Sequence, residues 1–201
     1  MSMFFVSSYI SHLTLKRFSR FLHEDFNGKT LYVYINSVGG CTRSSLAMYE
    51  ILRTLSDEQE VEIVTQVFDE CYSAALVLFL AGDHRFATKH ATFMIHEVTV
   101  DESKRKHAEG YKSTAIELEK ETAIIFELIK NRSKLSIAAI KKKVKQAKDN
   151  DWIFGQGEAL RLGIVSEAGF YMPEKTEEEE KPVKPTNDDD EAETEEEEDE
   201  E

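Results

Sequence analysis

Residues 31–35 (LYVYI) form an unbroken apolar and aromatic run, and the next five, Asn36-Ser37-Val38-Gly39-Gly40, close it with a turn containing two consecutive glycines. A short run of this kind, rich in β-branched and aromatic residues and lacking polar alternation, reads as a buried strand. Helical spacing follows at once, with Leu46, Tyr49, Leu52 and Leu55 on one face. The same change of period recurs along the chain. Phe4 to Val6 is a first strand, and Leu15, Phe18 and Leu22 lie at helical spacing after Ser11 or Thr14. Residues 61–67 form another strand, 73–80 (SAALVLFL) a buried helix reached by a short connection, and 91–95 (ATFMI) a strand ending at His96. This alternation predicts an α/β layered domain.

Beyond residue 100 the pattern changes. Residues 101–130 predict a long helix, polar at first and then apolar at Ile116, Ala123, Ile124, Phe126 and Ile129, more apolar surface than a helix leaves in water. Ser136 reads as the cap of a further helix, with Ile137, Ile140 and Val144 inward and Lys141, Lys142, Lys143 and Lys145 as a solvated face. The body closes with Asp151-Trp152-Ile153-Phe154, a Gly-rich turn, a short helix over 158–162, and Gly163-Ile164-Val165.

Charge divides the chain. Residues 174–201 hold 17 Asp and Glu against 3 Lys, which accounts for the whole net charge of -14, and residues 1–173 hold 22 of each sign. The predicted organisation is therefore a single domain over 1–173 and a disordered acidic tail over 174–201, which has too few apolar residues to bury a core. A body without net charge gives no basic face for nucleic acid. The longest apolar run, 74–81, has 8 residues, and a bilayer crossing needs roughly 20. The N-terminus lacks the basic lead and cleavage site of a signal peptide, and the two cysteines, Cys41 and Cys71, have neither metal-ligand nor disulfide-framework spacing. The expectation is a soluble, cytoplasmic protein.

Acyl transfer by serine needs a hydroxyl beside an imidazole, a carboxylate orienting that imidazole, and backbone donors for the oxyanion. Ser73 heads an apolar helix, His96 ends a strand, Asp151 precedes Trp152, and Gly39-Gly40 forms a turn. Viewed singly, each has a plain structural reading: an N-cap serine, a sheet-edge histidine, a helix-ending aspartate and a tight turn.

Their order along the chain is more specific. LYVYINSVGG, YSAALVLFLAGDHRFA, FMIH and EALRLGIV resemble, in sequence, the landmarks of the Clp protease proteolytic subunit family. Those landmarks are a strand ending in a YINSPGG-like turn, a helix led by the nucleophilic serine, an Ala-Gly pair, an Arg-aromatic-Ala step, an MIH strand end, and an aspartate before an EA-x-x-x-G-[LI]-[IV] helix exit. The resemblance covers residues 31–165 closely and 4–29 in pattern. It implies a ClpP/crotonase-like ββα superhelix with a protruding handle helix supplied by 101–130. It implies a serine endopeptidase with Ser73 as nucleophile, His96 as base, Asp151 as its orienter, and an oxyanion hole from Gly39 or Gly40 with Ala74. No metal or cofactor is implied.

The implied partners are further copies of the chain in a heptameric ring, single or double, unfolded polypeptide as substrate, and a separate AAA+ ATPase unfoldase, since the sequence has no GxxxxGK[ST] loop. Extended substrate would pair beside residues 40–42 and 97–99. Four positions depart from the family pattern: Val38 for the turn's proline, Asp69 for a glycine, Ala74 for a methionine, and Asn150 for an arginine of the ring-to-ring contact. Asp69 and Glu70 bring negative charge near the site in sequence. Cys71 is a rival nucleophile, disfavoured by the 23-residue spacing from Ser73 to His96, which is similar to phage-type relatives. Cys41 reads as a small buried residue, and His12, His23, His84, His90 and His107 form no pairing pattern. Two alternatives stay open: a phage head-maturation protease of the same type, and a catalytically silent ring subunit.

Overall fold

The strands anticipated from the apolar runs assemble into one sheet. The computed structural model describes residues 2–100 and 107–171; the start of the expected long helix at 101–106, the domain boundary at 173 and the acidic tail lie outside the described residues. Strands β1 (Ser2–Val6), β2 (Thr30–Ser37), β3 (Glu62–Tyr72), β4 (His84–Ala87) and β7 (Glu167–Ala168) pair in parallel in that order. Strand β5 (Thr92–Ile95) pairs in parallel with the far half of β3, and β6 (Trp152–Gly155) runs antiparallel to β5. The helices are α1 (His12–Glu24), α2 (Thr42–Gln59), α3 (Ala74–Phe79), α4 (Ala108–Asn131), α5 (Ile137–Gln146) and α6 (Gln156–Arg161).

Strand β2 is buried on both faces, as an unbroken apolar run demands. Leu31, Val33 and Ile35 join Phe4, Val6, Ile63 and Val67 in the main core, together with Phe18 of α1, Met48 and Leu52 of α2, and all six residues of α3. Tyr32 and Tyr34 point the other way and meet Val64 and Phe86 in a second, smaller cluster. Around that cluster lies an aromatic ladder: Phe5 stacks on Tyr34, Tyr34 on Phe68, and Tyr32 on Tyr171. Tyr171 is held there by buried Gln66, whose amide exchanges two 2.8 Å hydrogen bonds with the Tyr171 backbone.

Helix starts follow the sequence signals. Ser11 and Thr14 form a reciprocal capping box at α1, and Ser136 accepts from the Ala139 N–H at α5. The expected face of α2 does meet the main core, with Leu52 fully buried and Leu46, Tyr49 and Leu55 partly buried against it, but the inward stripe is wider than expected. The fully buried positions are Ser44, Ser45, Met48 and Leu52, because small hydroxyl residues let α2 approach α3 closely, with Ser45 Oγ donating to the Ala74 carbonyl at 2.5 Å. The expected Gly-rich turn after Phe154 is part of regular structure instead, Gly155 ending β6 and Gly157 lying inside α6.

Two further expectations change. Strand β3 does not stop at Val67. Residues 68–70 bulge opposite Asn36, whose Oδ1 accepts the Glu70 N–H at 3.0 Å, and pairing resumes at Ser37 and Cys71. The bulge lets β3 pair with β4 before it and with β5 after it, and it removes the connection expected ahead of Ser73. The apolar surface assigned to the long helix is also divided. Phe126 and Ile129 are buried in the chain's own core with Ile125, while Ile116 and Ile124 remain exposed at 52% and 53%. Two of the five expected positions, Phe126 and Ile129, thus pack on their own domain.

The end of α3 is held by two arginines that bind carbonyls. Arg85 donates to the carbonyls of Gly82, Gly163 and Ile164, and Arg132 to those of Leu80 and Gly82. Burial and the neighbouring Arg132 push the Arg85 guanidinium down to about 10, still charged at neutral pH. This knot ties α3, the loop before β4 and the loop after α6 into one frame beneath the site.

Candidate active site

Strand register brings three distant residues together. Tyr72 pairs with Met94 at the end of the β3–β5 ladder, and the next residue, Ser73, donates its N–H to the Met94 carbonyl at 3.0 Å. On the other side of β5, Ile95 pairs with Trp152 in the antiparallel ladder. One step further in that register sets His96 opposite Asp151. Thus β5 carries the imidazole between the two other groups, and the apolar runs that pair the strands also position the polar residues at their ends.

Ser73 Oγ lies 2.6 Å from His96 Nε2, and His96 Nδ1 lies 3.3 Å from Asp151 Oδ1. The His96 side chain is 20% exposed and that of Asp151 41%, so the pair is open to solvent at its carboxylate end. Ser73 does not cap its helix: its side chain makes no capping bond, and its backbone sits at φ 54, ψ -122, a region that non-glycine residues rarely enter. This sharp strand-to-helix turn aims Oγ at His96 instead of at the α3 N–H groups. Asp151 is presented by a similar device. Asp149 and Asn150, residue types that tolerate left-handed backbone, take φ 55 and φ 61 in the turn just before it.

The glycine turn packs against the serine. A Cβ on Gly39 would lie 2.6 Å from the Tyr72 carbonyl and 2.9 Å from Ser73 Cβ, and φ is +102 there, so only glycine fits. The Gly39 N–H already donates to Ser37 Oγ at 3.1 Å. Gly40, not Gly39, lines the cleft with Ser73 and His96. Of the glycine pair named from sequence, the cleft-facing one is Gly40, and Ala74 is the first residue of α3, where N–H groups have no partner within the helix. Beside Ser73 a small apolar cavity of about 20 Å³, room for one water, is walled by Leu76, Val77, Val98, Ile125 and Ile129.

The rival groups stand elsewhere. Cys71 is fully buried between β2 and β5, and burial pushes its thiol well above the ordinary range, which disfavours a thiolate. Cys41 is half-buried at the start of α2. Asp69 is exposed on the bulge and does not line the cleft. Among the histidines given no role, His12 Nδ1 lies 3.1 Å from Ser44 Oγ and His84 lies 3.3 Å from both Glu62 and Glu167. Among the described residues no group of three or more His, Cys, Asp or Glu is arranged to hold a metal ion, and no helix is long and apolar enough to cross a membrane.

Comparison with known proteins finds relatives of the chain. The family model for Clp protease matches residues 8–170. The chain is 26% identical over 148 residues to the ATP-dependent Clp protease proteolytic subunit 2 of Prochlorococcus marinus, covering 72% of this chain and 68% of that protein. The ATP-dependent Clp protease proteolytic subunit 3 of a Synechococcus is also 26% identical over 148 residues, covering 72% and 69%. The fold is similar to that of a ClpP1 mutant from Listeria monocytogenes, with a TM-score of 0.68 at 19% identity over 83% of this chain and 90% of that one.

Proposed function

The chain belongs to the Clp protease family, and on that footing we propose that it is a serine endopeptidase, the proteolytic subunit of an ATP-dependent Clp-type protease that hydrolyses unfolded polypeptide. The observation that carries this reading is the contact of Ser73 Oγ with His96 Nε2 at 2.6 Å, with Asp151 on the opposite ring nitrogen. His96 Nε2 takes the hydroxyl proton as Oγ attacks the scissile carbonyl, and Asp151 holds the Nδ1–H tautomer and stabilises the imidazolium. The N–H groups of Gly40 and Ala74 receive the oxyanion. His96 then returns its proton to the leaving amine, the acyl group stays on Ser73, and a water activated by the same imidazole releases it. The cavity beside Ser73, walled by Leu76, Val77, Ile125 and Ile129, is apolar, and at about 20 Å³ it has room for a methyl-sized group next to the scissile bond.

Unfolded substrate is called for because only an extended chain can lie in a cleft between residues 40–42 and 97–99. The chain lacks a P-loop of its own, so we assign unfolding to a separate AAA+ ATPase. Self-assembly into rings is supported less by α4 than by the sheet's outer face, where Phe5, Phe68, Phe170 and Tyr171 are 53%, 37%, 42% and 39% exposed on one aromatic ladder. Surface of that kind calls for a partner. The hydrogen-bonded Ser73–His96 pair speaks against a silent ring subunit. The test is turnover of a short apolar peptide amide by wild type and Ser73→Ala, with light scattering to size the assembly. Undiminished turnover by Ser73→Ala, or full activity in a monomer, would overturn the reading.

A further inference from the structure

The stretch following His96 belongs to no strand or helix, yet it forms one wall of the cleft. Its middle residue, Val98, is half-buried against the main core and lines the apolar cavity beside Ser73 as well as the open cleft. Among the described residues, one polar contact from another element anchors Val98: its N–H donates to Thr122 Oγ1 of α4 at 2.9 Å. Thr122 lies one turn before Ile125 and two before Ile129, which wall the same cavity. The stripe Thr122, Ile125, Ile129 therefore joins α4 to the site, and Thr122 is its only hydrogen-bonding member.

We propose that Thr122 is a positioning residue, whose hydroxyl turns the Val98 N–H toward α4 and so fixes the edge that residues 97–99 present to a peptide. The proposal rests on the peptidase reading above. In an extended chain the N–H and C=O of one residue point to one side and those of its neighbours to the other. An extended course through 97–99 then turns the N–H and C=O groups of Glu97 and Thr99 away from α4, and Thr99 lines the cleft together with Gly40 and Thr42. A peptide strand entering there takes its hydrogen bonds from Glu97 and Thr99, while Val98 contributes its side chain to the cavity wall. Without the hydroxyl, the half-buried Val98 N–H loses its acceptor and the stretch is free to present either edge. Thr122 touches neither substrate nor the triad, so its effect falls on peptide binding and leaves the nucleophile alone.

Thr122→Val replaces the hydroxyl with a methyl of similar shape, and Thr122→Ser keeps it. A small fluorophosphonate reports only on Ser73 and His96, because it has no peptide backbone to pair. We expect Thr122→Val to label within about twofold of wild type while kcat/KM for an apolar tetrapeptide amide falls about five- to tenfold, carried by KM. Thr122→Ser should restore it, and amide hydrogen exchange at Val98 should be faster in Thr122→Val alone. With an active wild type as reference, an unchanged KM in Thr122→Val, a parallel loss of labelling, or no rescue by Thr122→Ser would overturn the role of Thr122. A wild type that neither labels nor cleaves would instead overturn the peptidase reading, and this role with it.

Discussion

Ser73 carries backbone strain that can be measured separately from its chemistry. At φ 54, ψ -122 it occupies a region where a non-glycine residue costs about 1–3 kcal/mol. The Ser73→Gly and Ser73→Ala variants both lack Oγ, so the bond to His96 drops out when the two are compared with each other. What remains is the backbone. Glycine relieves the strain but adds about 0.4–1 kcal/mol of chain entropy to the unfolded state. The balance favours Ser73→Gly over Ser73→Ala by about 1 kcal/mol. For a folded body of this size that is a melting temperature higher by about 2–4 °C. Both variants should be inactive toward peptides. Scanning calorimetry at equal protein concentration, since assembly raises apparent stability, decides the matter. A Ser73→Ala variant as stable as Ser73→Gly, or more so, would refute the reasoning that the strand-to-helix turn holds Ser73 under strain.

Other outcomes follow from the same geometry. Asp151→Asn should keep the fold and lower kcat by roughly 10⁴-fold by favouring the wrong His96 tautomer; a change under about tenfold in steady-state peptide kinetics would point to another third member. Gly39→Ala forces a Cβ to within 2.6 Å of the Tyr72 carbonyl and displaces Ser73, so kcat/KM should fall about 100-fold in a variant that circular dichroism still finds folded. Asp83 is buried in part, which alone would raise its carboxyl, but bonds from Arg53, the Ile63 N–H and Ser56 outweigh that and hold it below the usual range. A depressed folded value means that its stabilisation is present above about pH 4 and is lost as pH falls through the folded value. Urea melts should therefore find Asp83→Asn less stable than wild type at neutral pH, with the gap closing in acid.

The parts of the site legible in the sequence are those tied to strand ends. Ser73, His96 and Asp151 each follow or precede an apolar run, and pairing of those runs fixes where their ends meet. Gly39 and Gly40 were visible as a pair, but which one faces the cleft depends on Ser37, whose hydroxyl takes the Gly39 N–H. The bulge at 68–70 was hidden because Phe68, Asp69 and Glu70 interrupt the β-branched pattern, and a break in pattern reads as the end of a strand. In helix α4, periodicity says that Phe126 and Ile129 share a face, not that this face meets the chain's own core while Ile116 and Ile124 stay exposed. Ser44 and Ser45 break the apolar period of α2 because they are polar, although their small size is what buries them. Thr122 carries no signal in sequence, since its acceptor role exists only once α4 lies against the stretch after His96. The short strand β7, two residues long, and the aromatic pair Phe170-Tyr171 are too brief to show a period in sequence.

Covalent capture of the nucleophile is the most direct measurement. Wild type is treated with a fluorophosphonate and the modified peptide located by mass spectrometry, beside Ser73→Ala and Cys71→Ala. We expect one adduct per chain on Ser73, absent from Ser73→Ala and retained by Cys71→Ala, in which only a buried thiol is removed. An unmodified Ser73 in folded, assembled wild type, or an adduct that persists in Ser73→Ala, would contradict the assignment of Ser73, His96 and Asp151 as the catalytic triad.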